Sequence, residues 1–278
     1  MSAITVIYTT TGFVLAADSL QVGSDGSRDL SAQKIFPAGD PDSTNMAYGL
    51  AGTVRIISDE TGETQIDFLP EMKMLMEQLV NRQMRGGLLA LMNAVAGTLQ
   101  GRLQHILDTD NSFVLPPTPG KSTGDGSPDS IVSLLFCGYP SSGTPEFGAV
   151  TLMHQSQKLL EPVVQTFALG LGGLQGFVSK TIADGLFNPA SQSYHHKGLR
   201  RYRTFSQEIP AARSLDDALE LAMAYFAACN DPQVRKLDEG HCDSVGGNIV
   251  AATITPTGKF QWISSAKIHS FAEKFRVP

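Results

Sequence analysis

The sequence predicts a mixed α/β fold, a four-layer α/β/β/α sandwich of two antiparallel sheets flanked by helix pairs. Two observations carry this expectation. The helical segments come in consecutive pairs instead of alternating singly with strands, which disfavours a doubly wound parallel sheet. The strand segments are rich in Val, Ile and Leu along their length, the pattern of strands covered on both faces.

Residues 4–8 are β-branched and apolar, Thr9-Thr10-Thr11-Gly12 supplies a turn, and 13–17 is a second apolar run ending at Asp18, a hairpin pattern. Residues 19–31 are polar and Gly-containing and read as a loop. Short strands are expected at 34–36 and at 46–51, the second ending at Gly52. Residues 68–82 place Phe68, Met72, Leu75, Met76 and Leu79 on one helical face. Gly86-Gly87 interrupts, and 88–107 repeats the pattern with Leu88, Leu91, Met92, Val95 and Leu99.

Residues 108–130 are rich in Pro, Gly, Ser and Asp and are expected to form a flexible loop insertion. Strands are expected at 131–138, 147–154 and 163–169. Gly170-Leu171-Gly172-Gly173 is then expected to open a helix near 174–186. Ser214 reads as the N-cap of another helix, with Asp216 and Asp217 in its first turn, running to about Asn230. Strands at 248–255 and 260–264, joined by the turn Pro256-Thr257-Gly258, close the chain. Only 108–130 resembles a linker, and neither side of it looks self-sufficient, so one domain over 1–278 is expected.

Composition narrows the function classes. The 278 residues are 42% apolar and 17% charged, enough chain to bury a sizeable core. Twenty-one basic and 27 acidic residues leave a net charge of −6 without a Lys/Arg cluster, which argues against a nucleic-acid-binding face. No apolar run approaches the ~18 residues of a membrane span. No Lys or Arg precedes an apolar stretch in the first fifteen residues, so a secretory signal is not expected. Cys137, Cys229 and Cys242 are an odd set without metal-like spacing, and a cytoplasmic location is the simplest expectation.

Several apparent motifs fail on inspection. Gly120-Lys121-Ser122-Thr123 looks like the end of a phosphate-binding loop, yet the required upstream Gly falls at Leu115 and no strand leads in. Gly170 to Gly176 misses a dinucleotide fingerprint because its last Gly is one position late, and tight backbone packing is the better reading. His195-His196 and His241-Cys242-Asp243 lack partners at metal-ligand spacing and read as solvated loop residues. No cofactor is expected.

The N-terminus reads differently. Met1 precedes a small residue, the situation in which an initiator Met is removed. The chain would then begin at Ser2, with a hydroxyl and a free α-amine on one residue. Such a residue can use its own amine as base for its own hydroxyl. The amine has a reference pKa of about 7.7–8.0, and a buried Lys beside it would push that value down because adjacent cations disfavour one another. A carboxylate must then hold the Lys charged and in place.

The run Thr5-Val6-Ile7-Tyr8-Thr9-Thr10-Thr11-Gly12-Phe13-Val14-Leu15-Ala16-Ala17-Asp18-Ser19 resembles the start of proteasome β subunits, including bacterial-type proteasome homologues. These are N-terminal-nucleophile (Ntn) hydrolases. The family's nucleophile is followed sixteen residues later by Asp and thirty-two later by Lys, and from Ser2 those offsets reach Asp18 and Lys34. Ala32-Gln33-Lys34-Ile35 resembles the family's Lys-Ile segment. Ala51-Gly52 resembles its Ala-Gly, whose glycine N–H is the oxyanion donor. Asp243-Ser244-Val245-Gly246-Gly247 resembles its Asp-x-x-Ser-Gly-Gly, one residue shorter before the glycines.

What the resemblance implies is an Ntn-hydrolase fold and a catalytic set of Ser2, Asp18, Lys34, Gly52, Asp243 and Ser244. It further implies cleavage of peptide (amide) bonds through a Ser2 acyl-enzyme, a homo-oligomeric ring or stack, and an unfoldase or cap as partner whose identity has no signature here. The chain departs from the family where Gly170-Leu171-Gly172 replaces Gly-Ser-Gly, since Leu cannot hydrogen-bond the terminal amine. Ser also stands for the usual Thr as nucleophile. Those departures keep two other readings open, a proteasome-like assembly protein that is weakly active or inactive, and an Ntn amidase acting on a non-peptide amide.

Overall fold

The computed structural model describes the chain apart from residues 1–2, 23–27, 58–61, 84–85, 118–126, 141–142, 204–213, 258 and 277–278, and apart from the side chains of 81–83. The first half runs β1 (Ile4–Thr9), β2 (Gly12–Asp18), β3 (Gln21–Val22), β4 (Arg28–Asp29), β5 (Ile35–Pro37), β6 (Met46–Gly52), β7 (Arg55–Ile57), β8 (Thr64–Asp67), α1 (Phe68–Gln83) and α2 (Gly87–Thr109). Then come β9 (Asp129–Gly138), β10 (Glu146–Gln155), β11 (Lys158–Leu159), β12 (Val163–Thr166), β13 (Leu174–Phe177) and α3 (Lys180–Phe187). The chain continues with α4 (Leu215–Asn230), α5 (Glu239–Cys242), β14 (Ile249–Ile254), β15 (Gln261–Trp262) and α6 (Ser265–Ala272). The elements fall into two compact units, Met1–Phe36 with Leu169–Pro278, and Pro37–Ala168.

The first unit contains a sheet of order β13-β1-β2-β14-β15. Its ladders are antiparallel, with Ile4 opposite Ala17 in the predicted hairpin and Ile249 opposite Asp18 on the other side of β2. Every residue of β2 is buried, so both faces of that strand are covered. Helix α4 packs on β1 and β2, and α3 and α6 pack on α4. Most of α4's circumference is buried, including Leu219, Ala222, Tyr225, Phe226 and Cys229, as a helix at the centre of a core requires. Its start is fixed by a capping box: the Ser214 hydroxyl accepts from Asp217 N at 3.1 Å while the Asp217 carboxylate accepts from Ser214 N at 2.9 Å.

The second unit contains an antiparallel sheet in which β11, β10, β9 and β6 are neighbours and β12 also pairs with β10. Helix α2 lays Leu88, Leu91, Met92, Val95, Leu99 and Leu103 inward and packs on β10 and β12, with α1 against α2. Of the predicted loop insertion, Asp108 and Thr109 complete α2 and Asp129 opens β9. Ahead of residues 118–126, which lie outside the described residues together with the Gly120–Thr123 motif, the segment is clamped to the β10–β11 hairpin. Leu115 N–H donates to Gln157 Oε1 at 2.7 Å and Gln157 Nε2 donates to Leu115 O at 3.1 Å.

The fold is thus mixed α/β with antiparallel sheets and consecutive helices, as the sequence predicts. Two expectations need correcting. Residues 174–177 form strand β13 and not the start of a helix. Gly176 has φ +113, and a Cβ there would sit 2.2 Å from Ile4 O, so the backbone lies against β1 where a helix has no room. The helix begins only at Lys180, with the Ser179 hydroxyl accepting from Ile182 N at 3.3 Å. The chain also does not close on strands: Ser264 caps α6, which the short and weakly apolar 265–272 stretch did not signal. Among the described residues no helix is long and apolar enough to cross a membrane.

Candidate active site

Strand β2 carries the chain inward and delivers Asp18 at its last position with only 1% of its surface exposed. A buried carboxylate is tolerated only when its lone pairs are met. Asp18 meets that demand with four donors. Its Oδ1 accepts from Lys34 Nζ at 2.7 Å and from Ala3 N–H at 3.0 Å. Its Oδ2 accepts from Gly246 N–H at 3.1 Å and from Leu20 N–H at 3.2 Å. Three separated chain segments, at Ala3, Lys34 and Gly246, therefore converge on one side chain beside the local Leu20 N–H, close to the full acceptor capacity of an ionised carboxylate.

Lys34, immediately before β5, is 4% exposed. Burial pulls its pKa below the ordinary lysine value, while the Asp18 charge and hydrogen bond pull it back up. Lys34 can reach this position because the preceding loop is tied down. Ser19 Oγ accepts from Asn248 N–H at 2.8 Å and donates to Leu30 O, and Ala32 N–H donates to Ser19 O at 3.1 Å. Gly246 O accepts from Ser19 N–H at 3.2 Å and Leu20 N–H at 3.0 Å. Ser19 thus binds both the loop before Lys34 and the segment around Gly246, and Leu20 adds a second bond to Gly246.

Of the residues singled out from sequence, Asp18 and Lys34 are brought into direct contact. Ser2 lies outside the described residues, although its neighbour Ala3 is fully buried and bonded to Asp18. Ser244 is buried and its hydroxyl donates to His241 O at 2.6 Å, two residues before the Gly246 N–H that reaches Asp18. Asp243 points away into solvent and pairs with Arg235. Gly52 belongs to the second unit, at the end of β6. Its φ is +97 and a Cβ would stand 2.9 Å from Ile131 O, so only glycine fits there. Leu171 is 39% exposed and its peptide bridges Tyr8 of β1.

Sequence reasoning missed the backbone donors of Ala3, Leu20 and Gly246. It also took His241-Cys242 for solvated loop, and this is a correction: both are buried, because α5 packs them into the core of the first unit. His241 Nε2 is 2.9 Å from the Tyr225 hydroxyl, which accepts from Ser179 N–H at 2.7 Å. Burial holds the His241 pKa below the ordinary imidazole value, against the raising influence of Asp238 and Asp18. Among the described residues no group of three His, Cys, Asp or Glu side chains is placed to hold a metal. No protein-family model matches the chain, and no curated protein matches it.

Proposed function

We propose that this chain is a proteasome-like N-terminal-nucleophile hydrolase that cleaves peptide bonds through an acyl-enzyme on Ser2. The observation that carries the reading is the shared oxygen of Asp18, which holds both the Lys34 ammonium and the N–H of Ala3, the residue next to Ser2. In this reading Met1 is removed and the Ser2 amine stands beside Lys34. The buried lysine cation disfavours a second cation, so the amine is neutral and accepts the Ser2 hydroxyl proton. Oγ attacks the amide carbon, and the Gly52 N–H stabilises the oxyanion. The amine then returns the proton to the leaving nitrogen, and water releases the acyl group by the same route. Asp18 positions Lys34. The two sheets would stack as the inner layers of an α/β/β/α sandwich, with the helix pairs outside. No step calls for a cofactor.

Leu171 favours a second reading, an assembly protein of the same architecture with little or no catalysis. It is apolar and partly exposed where the family has a serine, and the exposed Asp243–Arg235 pair withdraws a second family residue. The discriminating experiment uses protein whose mass proves a free Ser2, since a retained Met1 blocks the amine. It is assayed on fluorogenic peptides and on small non-peptide amides, beside Ser2→Ala. The hydrolase reading expects turnover that Ser2→Ala abolishes, and a covalent adduct on Ser2 with an Ntn-directed inhibitor. Turnover confined to the small amides shifts the substrate class. Equal rates for the two proteins, with no adduct, leave the assembly reading.

A further inference from the structure

The turn between β5 and β6 is held in one shape by its own hydrogen bonds. Asp40 O accepts from Ser43 N–H at 3.0 Å and from Thr44 N–H at 2.9 Å. The Asp40 carboxylate accepts from Asp42 N–H at 3.1 Å and from the Ser43 hydroxyl at 3.2 Å, and Thr44 Oγ1 donates to Ala38 O at 2.8 Å. Gly39 stands at φ +105, and a Cβ there would lie 3.9 Å from Val80 Cγ1, so the turn lies against the second half of α1. Turn and helix together line a cavity of about 500 Å³, wholly within the second unit and in the size range of small-molecule sites. Ala38, Thr44 and Met76 are buried and form its floor, Asn45 and Val80 are half-buried walls, and Asp40, Ser43 and Glu77 are exposed at its mouth.

Among the described residues neither the Glu77 carboxylate nor the Asn45 side-chain amide makes a hydrogen bond or an ion pair, although Lys73 precedes Glu77 by one helical turn. No Lys, Arg or His lines the cavity, so the charges of Asp40 and Glu77 stand there uncompensated. Each Asp40 oxygen accepts one bond and keeps capacity for another. Met76 and Val80 lie one turn apart on the same face of α1, and with Ala38 they supply an apolar surface beside those acids. We propose that this cavity binds a small aliphatic amine or guanidine. The aliphatic stem lies on Ala38, Met76 and Val80, and the cationic head donates to Glu77, with Asp40 and the Asn45 side-chain carbonyl as further acceptors. Nothing in this proposal uses Ser2, Lys34 or hydrolysis.

The lining selects this class over other ligands. A hard divalent cation takes about six oxygen ligands or more and gains nothing from aliphatic and thioether walls. Among the described residues no group of three His, Cys, Asp or Glu side chains is placed to hold one. An anion is repelled by both carboxylates, and an alcohol brings a donor without charge. An alkylammonium or alkylguanidinium pairs charge and covers apolar surface at once, as Lys and Arg side chains do on protein surfaces.

The test is isothermal titration calorimetry of the full chain at low salt with probes of similar stem: hexylamine, cadaverine, hexanol and hexanoate. The proposal expects both amines to bind, and hexanol and hexanoate not to. Glu77→Gln breaks no bond of the folded chain, so it should keep the thermal midpoint while weakening amine binding about tenfold, the loss of one hydrogen bond to a charged group. Glu71→Gln removes the same charge from the same helix outside the cavity and should leave the affinity unchanged. Absence of amine binding at millimolar concentration overturns the proposal, as does equal affinity in Glu77→Gln. Equal weakening in Glu71→Gln overturns it by showing attraction to the acidic surface at large. Hexanol binding as tightly as hexylamine overturns it by showing an apolar pocket that ignores charge, and displacement of the amines by magnesium ions overturns it by showing a metal site.

Discussion

At Asp18 two full charges leave water together, and the energetics of such a pair are asymmetric. Forming it gains little over an apolar pair of the same volume, but removing one partner strands the other. Lys34→Met leaves a carboxylate that is 1% exposed with three backbone N–H donors and no cation. We expect a loss of about 3–5 kcal/mol, read as a lower urea midpoint with an unchanged slope. A loss under about 1 kcal/mol, the value of a surface pair, would show that the pair is not held in the core. Because the folded lysine titrates below its ordinary value of 10.5, the unfolded chain binds more protons between the two values. That contribution to stability is present above 10.5 and is lost as pH falls through the folded value. The variant should lack this alkaline rise. Asp18 and Lys34 were legible in the sequence because an offset from Ser2 names side chains. The donors from Ala3, Leu20 and Gly246 were not, since a backbone N–H is the same on every residue and only the fold selects which ones meet.

The elements legible in the sequence were those with long periodic patterns: β1, β2, β9 and β10 from apolar runs, α1 and α2 from a helical stripe, α4 from its cap and acids. Where the pattern was short it misled. Leu174 to Phe177 offered apolar residues beside glycines, which fit a helix start as well as a strand, and the close approach of Gly176 to β1 decides between them. The same elements give two opposed expectations. Ser214→Ala removes the hydroxyl that accepts from Asp217 N–H and should cost about 1 kcal/mol. Gly101→Ala, on the exposed side of α2 with nothing within 4 Å of the added Cβ, should gain up to about 1 kcal/mol. Thermal unfolding of both variants checks the pair. A stabilised Ser214→Ala would mean that the capping box does not persist in solution, and a destabilised Gly101→Ala that this face of α2 is covered by something.

For the whole molecule, association is the expectation that the amphipathic pattern and the surface share. The methionines of α1 and α2 divide as their helical positions require. Met72, Met76 and Met92 are buried, while Met74 stands 51% exposed near the middle of α1, and Met84 lies outside the described residues. Leu89 on α2 is also 48% exposed, so the helical layer of the second unit presents apolar side chains beyond what its own core uses. A chain of net charge −6 repels its copies, and that repulsion is screened as the Debye length shrinks from about 30 Å at 0.01 M salt to about 8 Å at 0.15 M. If apolar surface drives self-association against like charge, added salt should strengthen it. If ion pairs between copies drove it, added salt should weaken it. We therefore expect light scattering to give a mass above the 29.7 kDa of one chain, rising with protein concentration and with salt up to 0.15 M. Substituting Met74→Glu, on the exposed side of α1, should lower that mass while leaving the thermal midpoint nearly unchanged, because the side chain adds nothing to the buried core. A constant 29.7 kDa at every concentration and salt would refute association.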